Sequence, residues 1–312
     1  MLIILHVVIL IVGFVLLIKG ADFFVDGAAG IAAKSGVSQL IIGLTIVAMG
    51  TSAPEAAVSI ISSINHSAGL AIGNVLGSNT MNVYLILGVT AVIMPLLMAR
   101  ETVRFDIPFV IIATIVLGLL GLTDNSLSRI DGVILFAMFL IYLGYLFRQN
   151  KKNEVEKEPD VLIRSNTVLI GLLVAGIAMI LIGSECVVKS ASWIAATCGM
   201  SERTIGLTIV AIGTSLPELV TCIVAATKNK ADIAVGNIIG SNIFNILFVL
   251  GIAAMVYPLE YGMEFLADTI ICLSAPVLLL LFTLNKKKTL TRIGGAVFLA
   301  CYGCYFIWVF IS

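Results

Sequence analysis

Apolar residues fill ten stretches of this chain, near residues 3–33, 37–63, 69–96, 105–122, 130–147, 166–196, 202–226, 232–257, 264–283 and 291–311. A helix needs about 20 residues to cross a hydrocarbon layer, and these stretches are of that order or longer. Lipid offers the backbone no hydrogen-bond partner, so each stretch is expected to be helical. The first and the sixth, of 31 residues each, exceed a perpendicular crossing and predict tilted helices. One polar stretch interrupts the pattern, Arg148 to Arg164, rich in Lys, Glu and Asn. It divides the chain into residues 1–147, a linker at 148–165, and residues 166–312. The predicted fold class is an all-α integral membrane protein of ten transmembrane helices.

Basic residues give these spans a direction. Loops 1–2, 3–4, 5–6, 7–8 and 9–10 together hold 14 Lys and Arg, including Lys34, Arg100, Arg104, Lys228, Lys230 and Lys286 to Lys288. The other side holds only Arg129 and Arg203, with Lys19 and Lys189 inside spans. The positive-inside rule makes the 14-residue side cytoplasmic, so both termini are expected outside.

Composition agrees and narrows the function. The chain is 60% hydrophobic and 12% charged, with a mean hydropathy of +1.15. Soluble domains carry about 25% charged residues, so a water-soluble body is excluded. A formal net charge of zero points to no nucleic-acid partner. Two histidines are too few for a histidine-based metal site. Six cysteines lie in the second half, and Cys301-x-x-Cys304 falls in the last span, where packing is the expected role. Met1 to Leu5 lacks the basic start of a signal peptide and reads as part of the first span. No cofactor and no obligatory protein partner are expected.

The chain repeats itself. Residues 43–95 and 206–258 align without a gap at an offset of 163, with 24 identities in 53 positions. Gly-Thr-Ser-Ala-Pro-Glu (50–55) matches Gly-Thr-Ser-Leu-Pro-Glu (213–218). Gly-Asn-Val-Leu-Gly-Ser-Asn-Thr-Met-Asn (73–82) matches Gly-Asn-Ile-Ile-Gly-Ser-Asn-Ile-Phe-Asn (236–245). The same offset pairs Gly20 with Gly183 and Asp22 with Glu185. Five spans is an odd number, so the second half must cross in the opposite sense. That predicts an inverted repeat, an arrangement common in secondary transporters, whose sites lie at the midplane.

Both motifs fall inside spans. Pro54 and Pro217 each remove a helical hydrogen bond and leave backbone carbonyls open to another partner, such as a cation. The carbonyls of Ala48 and Ala211 lie one turn before the break. Glu55 and Glu218 then sit at the costliest depth for charge, where a carboxylate is functional by default. Thr51 and Ser52 precede Glu55 by four and three residues, a spacing at which the three can share a helix face. Thr214 and Ser215 stand in the same relation to Glu218. On the following helices, Ser78 and Asn82 are four apart, as are Ser241 and Asn245. An all-oxygen set of this kind suits a hard, flexible-coordination cation such as Ca2+, and two carboxylates balance its charge.

The paired motifs resemble the two alpha repeats of the cation/calcium exchanger superfamily, and most closely its compact prokaryotic sodium/calcium exchangers. The resemblance spans all ten expected helices. It implies a cell-membrane antiporter with Ca2+ and Na+ as substrates, in which helices 1 and 6 move against an eight-helix core. It implies a ligand set of Glu55, Glu218, Thr51, Thr214, Ser52, Ser215, Ser78, Ser241, Asn82 and the carbonyls of Ala48 and Ala211. Asn245 is a departure, because some members carry aspartate there; an amide makes potassium coupling less expected. Asn79 and Asn242 are expected to point away from the Asn82 and Asn245 face and to serve structural hydrogen bonding, with Asn74 and Asn237 similar. Asp22, Asp26, Glu185 and Lys189 are read as interfacial. Two other readings stay open: a proton-coupled calcium antiporter, and an intramembrane enzyme using the glutamates as an acid/base dyad.

Overall fold

The computed structural model describes residues 2–152, 165–199 and 211–311. Helices account for nearly all of it: α1 (Leu2–Ser35), α2 (Gln39–Thr51), α3 (Ala53–Ile64), α4 (Ala68–Ile93), α5 (Thr102–Thr123) and α6 (Arg129–Lys152) in the first half. The second half contains α7 (Asn166–Thr197), α8 (Ala211–Thr214), α9 (Leu216–Thr227), α10 (Ala231–Val256), α11 (Glu264–Thr283) and α12 (Arg292–Ile311). Serines start two of them: Ser38 caps α2 and Ser165 caps α7, each accepting from a backbone N–H in the first turn.

Every described stretch predicted as a span is helical. Among the described residues, seven helices are long and apolar enough to cross a membrane, and α2 with α3 makes an eighth if counted as one span bent by 52°. The remaining two predicted spans end in the short apolar helix α9 and in α12. The start of the predicted span at 202–226, with Arg203, lies outside the described residues. So do residues 153–164 of the expected linker, although α6 continues through Arg148 to Lys152.

Polarity is distributed inside out. Ile293 is 77% exposed and Ile141 69% exposed, while Glu55, Glu218, Asn79, Asn82 and Asn245 are at most 1% exposed. Water would invert that arrangement; lipid favours it, because an apolar perimeter costs nothing there while buried polar groups must satisfy one another.

The two halves embrace each other through contacts that recur at the 163-residue offset. Two-residue strands clip the loops: β1 (Leu96–Leu97) pairs antiparallel with β4 (Thr289–Leu290), and β2 (Ser126–Leu127) with β3 (Leu259–Glu260). Shifted by the offset, the Leu96–Leu290 pair becomes Leu259–Leu127, which is also observed. The long helices α1 and α7 run antiparallel along each other. Gly13 meets the Gly183 carbonyl and Gly20 the Gly176 carbonyl, so closely that an added Cβ would lie 2.9 Å from either oxygen. Only glycine permits that backbone-to-backbone approach.

Candidate functional site

Each motif breaks its helix where the sequence places it. Ser52 (φ −84°, ψ 11°) separates α2 from α3, and Ser215 (φ −94°, ψ 7°) separates α8 from α9. Pro54 and Pro217 occupy the first turns of α3 and α9, where a missing N–H costs nothing. Glu55 and Glu218 lie in those same first turns. The N-terminal ends of two half-helices therefore favour negative charge where the carboxylates sit.

The halves meet through these residues. Ser52 Oγ donates to Glu218 Oε1 at 2.7 Å, and Ser215 Oγ donates to Glu55 Oε1 at 3.2 Å. Each serine thus serves the glutamate of the other repeat, not the one three residues on. The helix-face expectation for Thr51, Ser52 and Glu55 is corrected on this point, because the chain turns at Ser52 and carries Glu55 onto a new axis. Thr51 Oγ1 donates across the halves to Asn237 Oδ1 at 2.9 Å. Asn74 Nδ2 donates to the Glu55 backbone carbonyl at 3.2 Å and to Ser59 Oγ at 2.9 Å.

The helices behind the motifs complete the surroundings. α4 packs against α3 and α8, and α10 against α2 and α9. Ser78 and Ser241 are buried on α4 and α10. Asn82 opens a π-helical turn, Asn82–Leu87, and Asn245 lies in its counterpart, Phe244–Val249. Such turns recur at functional sites. Asn79 and Asn242 do not point away from them. Asn82 Nδ2 donates to Asn242 Oδ1 at 3.0 Å and Asn245 Nδ2 to Asn79 Oδ1 at 3.1 Å. The expected hydrogen-bonding role of Asn79 and Asn242 stands; their expected direction does not, because the widened turns bring all four amides together.

Several buried oxygens here have no partner among the described residues: Glu55 Oε2, Glu218 Oε2, Asn82 Oδ1, Asn245 Oδ1 and Ser241 Oγ. The first four accept only, once the carboxyls are ionised. A buried acceptor without a partner is costly, and a bound cation is the partner that chemistry supplies. Ala48 is buried and its carbonyl accepts from Ser52 N–H at 3.0 Å, while Ser215 N–H turns to Ile212 O at 3.2 Å and away from Ala211, the first residue of α8. Thr214, half-buried, ends α8.

Some contacts have no signal in the motifs. Pro217 leaves the Gly213 carbonyl without its helical donor, and Ser184 Oγ on α7 donates to it at 2.9 Å. The repeat counterpart of Ser184 is Ala21, so the duplication gives no hint of it. Lys228 bonds Asp26 Oδ1 at 2.9 Å and Asp22 Oδ1 at 3.2 Å, tying α9 to α1.

The sequence profile of the family described as sodium/calcium exchanger protein matches residues 5–148 and 168–311. The chain belongs to that family. The two matched stretches are themselves 163 residues apart, the offset that the strands and serines repeat. Among exchanger relatives, the sodium/calcium exchanger MaX1 of Methanosarcina acetivorans is 33% identical over 97% of both chains. The inner membrane protein YrbG of Escherichia coli (strain K12) is 40% identical over 80% of both. The structure of the sodium-calcium exchanger NCX_Mj soaked with zero Na+ and Ca2+ superposes with a TM-score of 0.86. It is 34% identical and covers 98% of this chain and 99% of its own. The chain is thus a multi-pass membrane protein with the exchanger fold.

Proposed function

We propose that this exchanger moves one Ca2+ out of the cytoplasm across the cell membrane in return for several external Na+, by alternating access at the Glu55–Glu218 site. One observation carries the reading: two buried glutamates, cross-bonded by serines of the opposite repeat, stand within an apolar perimeter with acceptor oxygens that have no partner among the described residues. The ligands assigned are Glu55 and Glu218, with Thr51, Thr214, Ser52, Ser215, Ser78, Ser241, Asn82 and Asn245. The carbonyls of Ala48 and Ala211 add backbone oxygens. The names of MaX1 and NCX_Mj as sodium/calcium exchangers support the choice of ions.

The architecture assigned is ten spans in two inverted repeats, with a twofold axis in the membrane plane and both termini outside. The antiparallel run of α1 against α7 and the basic cytoplasmic loops support it. Emptying the site would leave two uncompensated carboxylates in a medium of low dielectric, which opposes movement. The carrier therefore crosses loaded, and exchange follows where uniport does not. With three Na+ against one Ca2+, a site of charge −2 crosses as +1 or as 0. Each net charge gains about 2.3 kcal/mol per 100 mV, so transport is electrogenic.

The test is 45Ca2+ uptake into proteoliposomes loaded with Na+, beside K+-loaded and acid-loaded controls. Uptake is expected only under the outward sodium gradient. Uptake under the proton gradient alone would keep the site and replace the coupling ion; no uptake under either would overturn the assignment.

A further inference from the structure

Four asparagines on α4 and α10 form a belt with a defined direction, two amide pairs joined through the backbone carbonyls of Asn79 and Asn242. Asn79 Nδ2 donates to the Asn242 backbone carbonyl at 3.1 Å, and Asn242 Nδ2 donates to the Asn79 carbonyl at 3.3 Å. A backbone carbonyl only accepts, so these two contacts fix which end of each amide is nitrogen. The oxygen ends of Asn79 and Asn242 are thereby committed to the other pair. There they accept from Asn245 Nδ2 at 3.1 Å and from Asn82 Nδ2 at 3.0 Å. The nitrogens of Asn82 and Asn245 are in turn committed, and their oxygens are left buried without a partner among the described residues. Turning any one amide over would set donor against donor or acceptor against acceptor in a buried interior.

We propose that Asn79 and Asn242 are positioning residues for cation binding: they orient Asn245 and Asn82 so that both amide oxygens stay available as neutral ligands. The inference rests on the reading of Glu55 and Glu218 as the cation site. It also accounts for the amide at position 245. A carboxylate there would present an acceptor to Asn79 Oδ1 and open the belt, so this chain closes it with asparagine and keeps the site at two negative charges. The belt is reciprocal at the repeat offset, Asn79 corresponding to Asn242 and Asn82 to Asn245, so each half orients a ligand of the other.

The test is a double-mutant cycle on the purified full-length chain, read by the calcium-induced rise in melting temperature and by the calcium half-saturation of exchange. Asn79→Leu removes the acceptor that holds Asn245. It is expected to weaken calcium about tenfold, the size of effect that one directional hydrogen bond produces, with a smaller change in maximal rate. Asn245→Leu is expected to weaken calcium similarly, and the double variant no further than Asn245→Leu alone. Losses that multiply in the double variant, or a wild-type calcium response in Asn79→Leu, would overturn the proposal. Should Asn79→Leu fail to fold, Asn79→Ser gives the same cycle with a smaller packing change. Glu55→Gln separates the two readings. If it keeps the calcium response, the cation site itself is wrong; if it loses the response while the asparagine losses multiply, only the positioning role is wrong.

Discussion

The centre of the molecule and the flanks of its two longest helices treat the duplication differently. At the centre the halves mirror each other: Ser52 serves Glu218 as Ser215 serves Glu55, and the four asparagines close on one another. On the flanks the mirror fails. Asp22 and Asp26 on α1 reach across to Lys228 beyond α9, whereas their counterparts Glu185 and Lys189 on α7 pair with each other at 2.6 Å on an exposed face. Lys228 itself corresponds to Asn65, which carries no charge. At the proposed site, residues that hold one cation between them are bound to matching chemistry, because each half supplies part of the same shell. Residues on the flanks lie toward opposite ends of the antiparallel α1–α7 pair, and nothing obliges the two ends to match. The ion cluster therefore fastens α1 to the second half with no equivalent among the described residues of α7.

The largest effect expected is at the centre. Glu55→Gln and Glu218→Gln should each lower calcium exchange more than a hundredfold, because each removes one of two charges that balance a divalent ion in a poorly solvated site. The variants should melt near the wild-type temperature, since neutralising a buried carboxylate relieves desolvation. Proteoliposome flux beside a thermal melt reads both. Strong asymmetry between the two variants would break the mirror at the point where it is drawn most sharply.

The serines test the same mirror at smaller amplitude. Ser52→Ala and Ser215→Ala each delete one cross-repeat hydrogen bond to a carboxylate, a contact worth about 1.5–3 kcal/mol. Calcium half-saturation should rise by about tenfold or more in each, and by similar factors in both. Lys228→Gln and Lys189→Gln then contrast the flanks. Losing Lys228 removes the ion pairs between α1 and the end of α9 and should change the exchange rate by about threefold, in keeping with a partly exposed ion pair. Losing Lys189 frees only its own helix neighbour and should leave the rate within about twofold. Equal effects at the two lysines would dissolve the contrast between the flanks.

Much of this was legible in the chain because lipid imposes simple rules. Apolar length gives helices such as α4 and α10, and the 163-residue offset exposes the duplication before any coordinates are known. The break at Pro54 and Pro217, and the burial of Glu55 and Glu218, follow from the motifs. What the chain does not announce is how the halves interlock. The spacing of Ser52 and Glu55 describes a straight helix, and the bend at Ser52 exchanges its partner for one 166 residues away. Asn79 lies three residues from Asn82, and a widened turn beginning at Asn82 re-aims that face. Strands of two residues, such as β1 and β4, are too short to show a period. The Lys228 cluster joins residues about 200 apart that share no motif.

The smallest expected effect concerns a place where the mirror is cracked within the centre itself. Asn74 Nδ2 donates to Ser59 Oγ at 2.9 Å, but Ser59 corresponds to Cys222, and Asn237 Nδ2, the counterpart of Asn74 Nδ2, is buried without a partner among the described residues. One neighbouring contact recurs in both halves, Ser59 Oγ donating to Ala71 O at 3.3 Å and Cys222 Sγ approaching Ala234 O at 3.7 Å. Cys222 Sγ also accepts from Thr90 Oγ1 at 3.4 Å, and the counterpart of Thr90 is Ala253. Sulfur is a weak acceptor, so the cysteine leaves the amide unsatisfied where a hydroxyl would serve it. Cys222→Ser gives Asn237 the partner that Asn74 already has. Satisfying a buried donor is worth about 1–3 kcal/mol, offset in part by burying a more polar group, so the variant should melt a few degrees above wild type. Because Asn237 Oδ1 also accepts from Thr51, a firmer Asn237 should hold Thr51 in place and leave calcium half-saturation the same or slightly lower. A lower melting temperature would mean that the pocket around Cys222 is fitted to sulfur, and that the second half departs from the first there by packing and not by an unmet hydrogen bond.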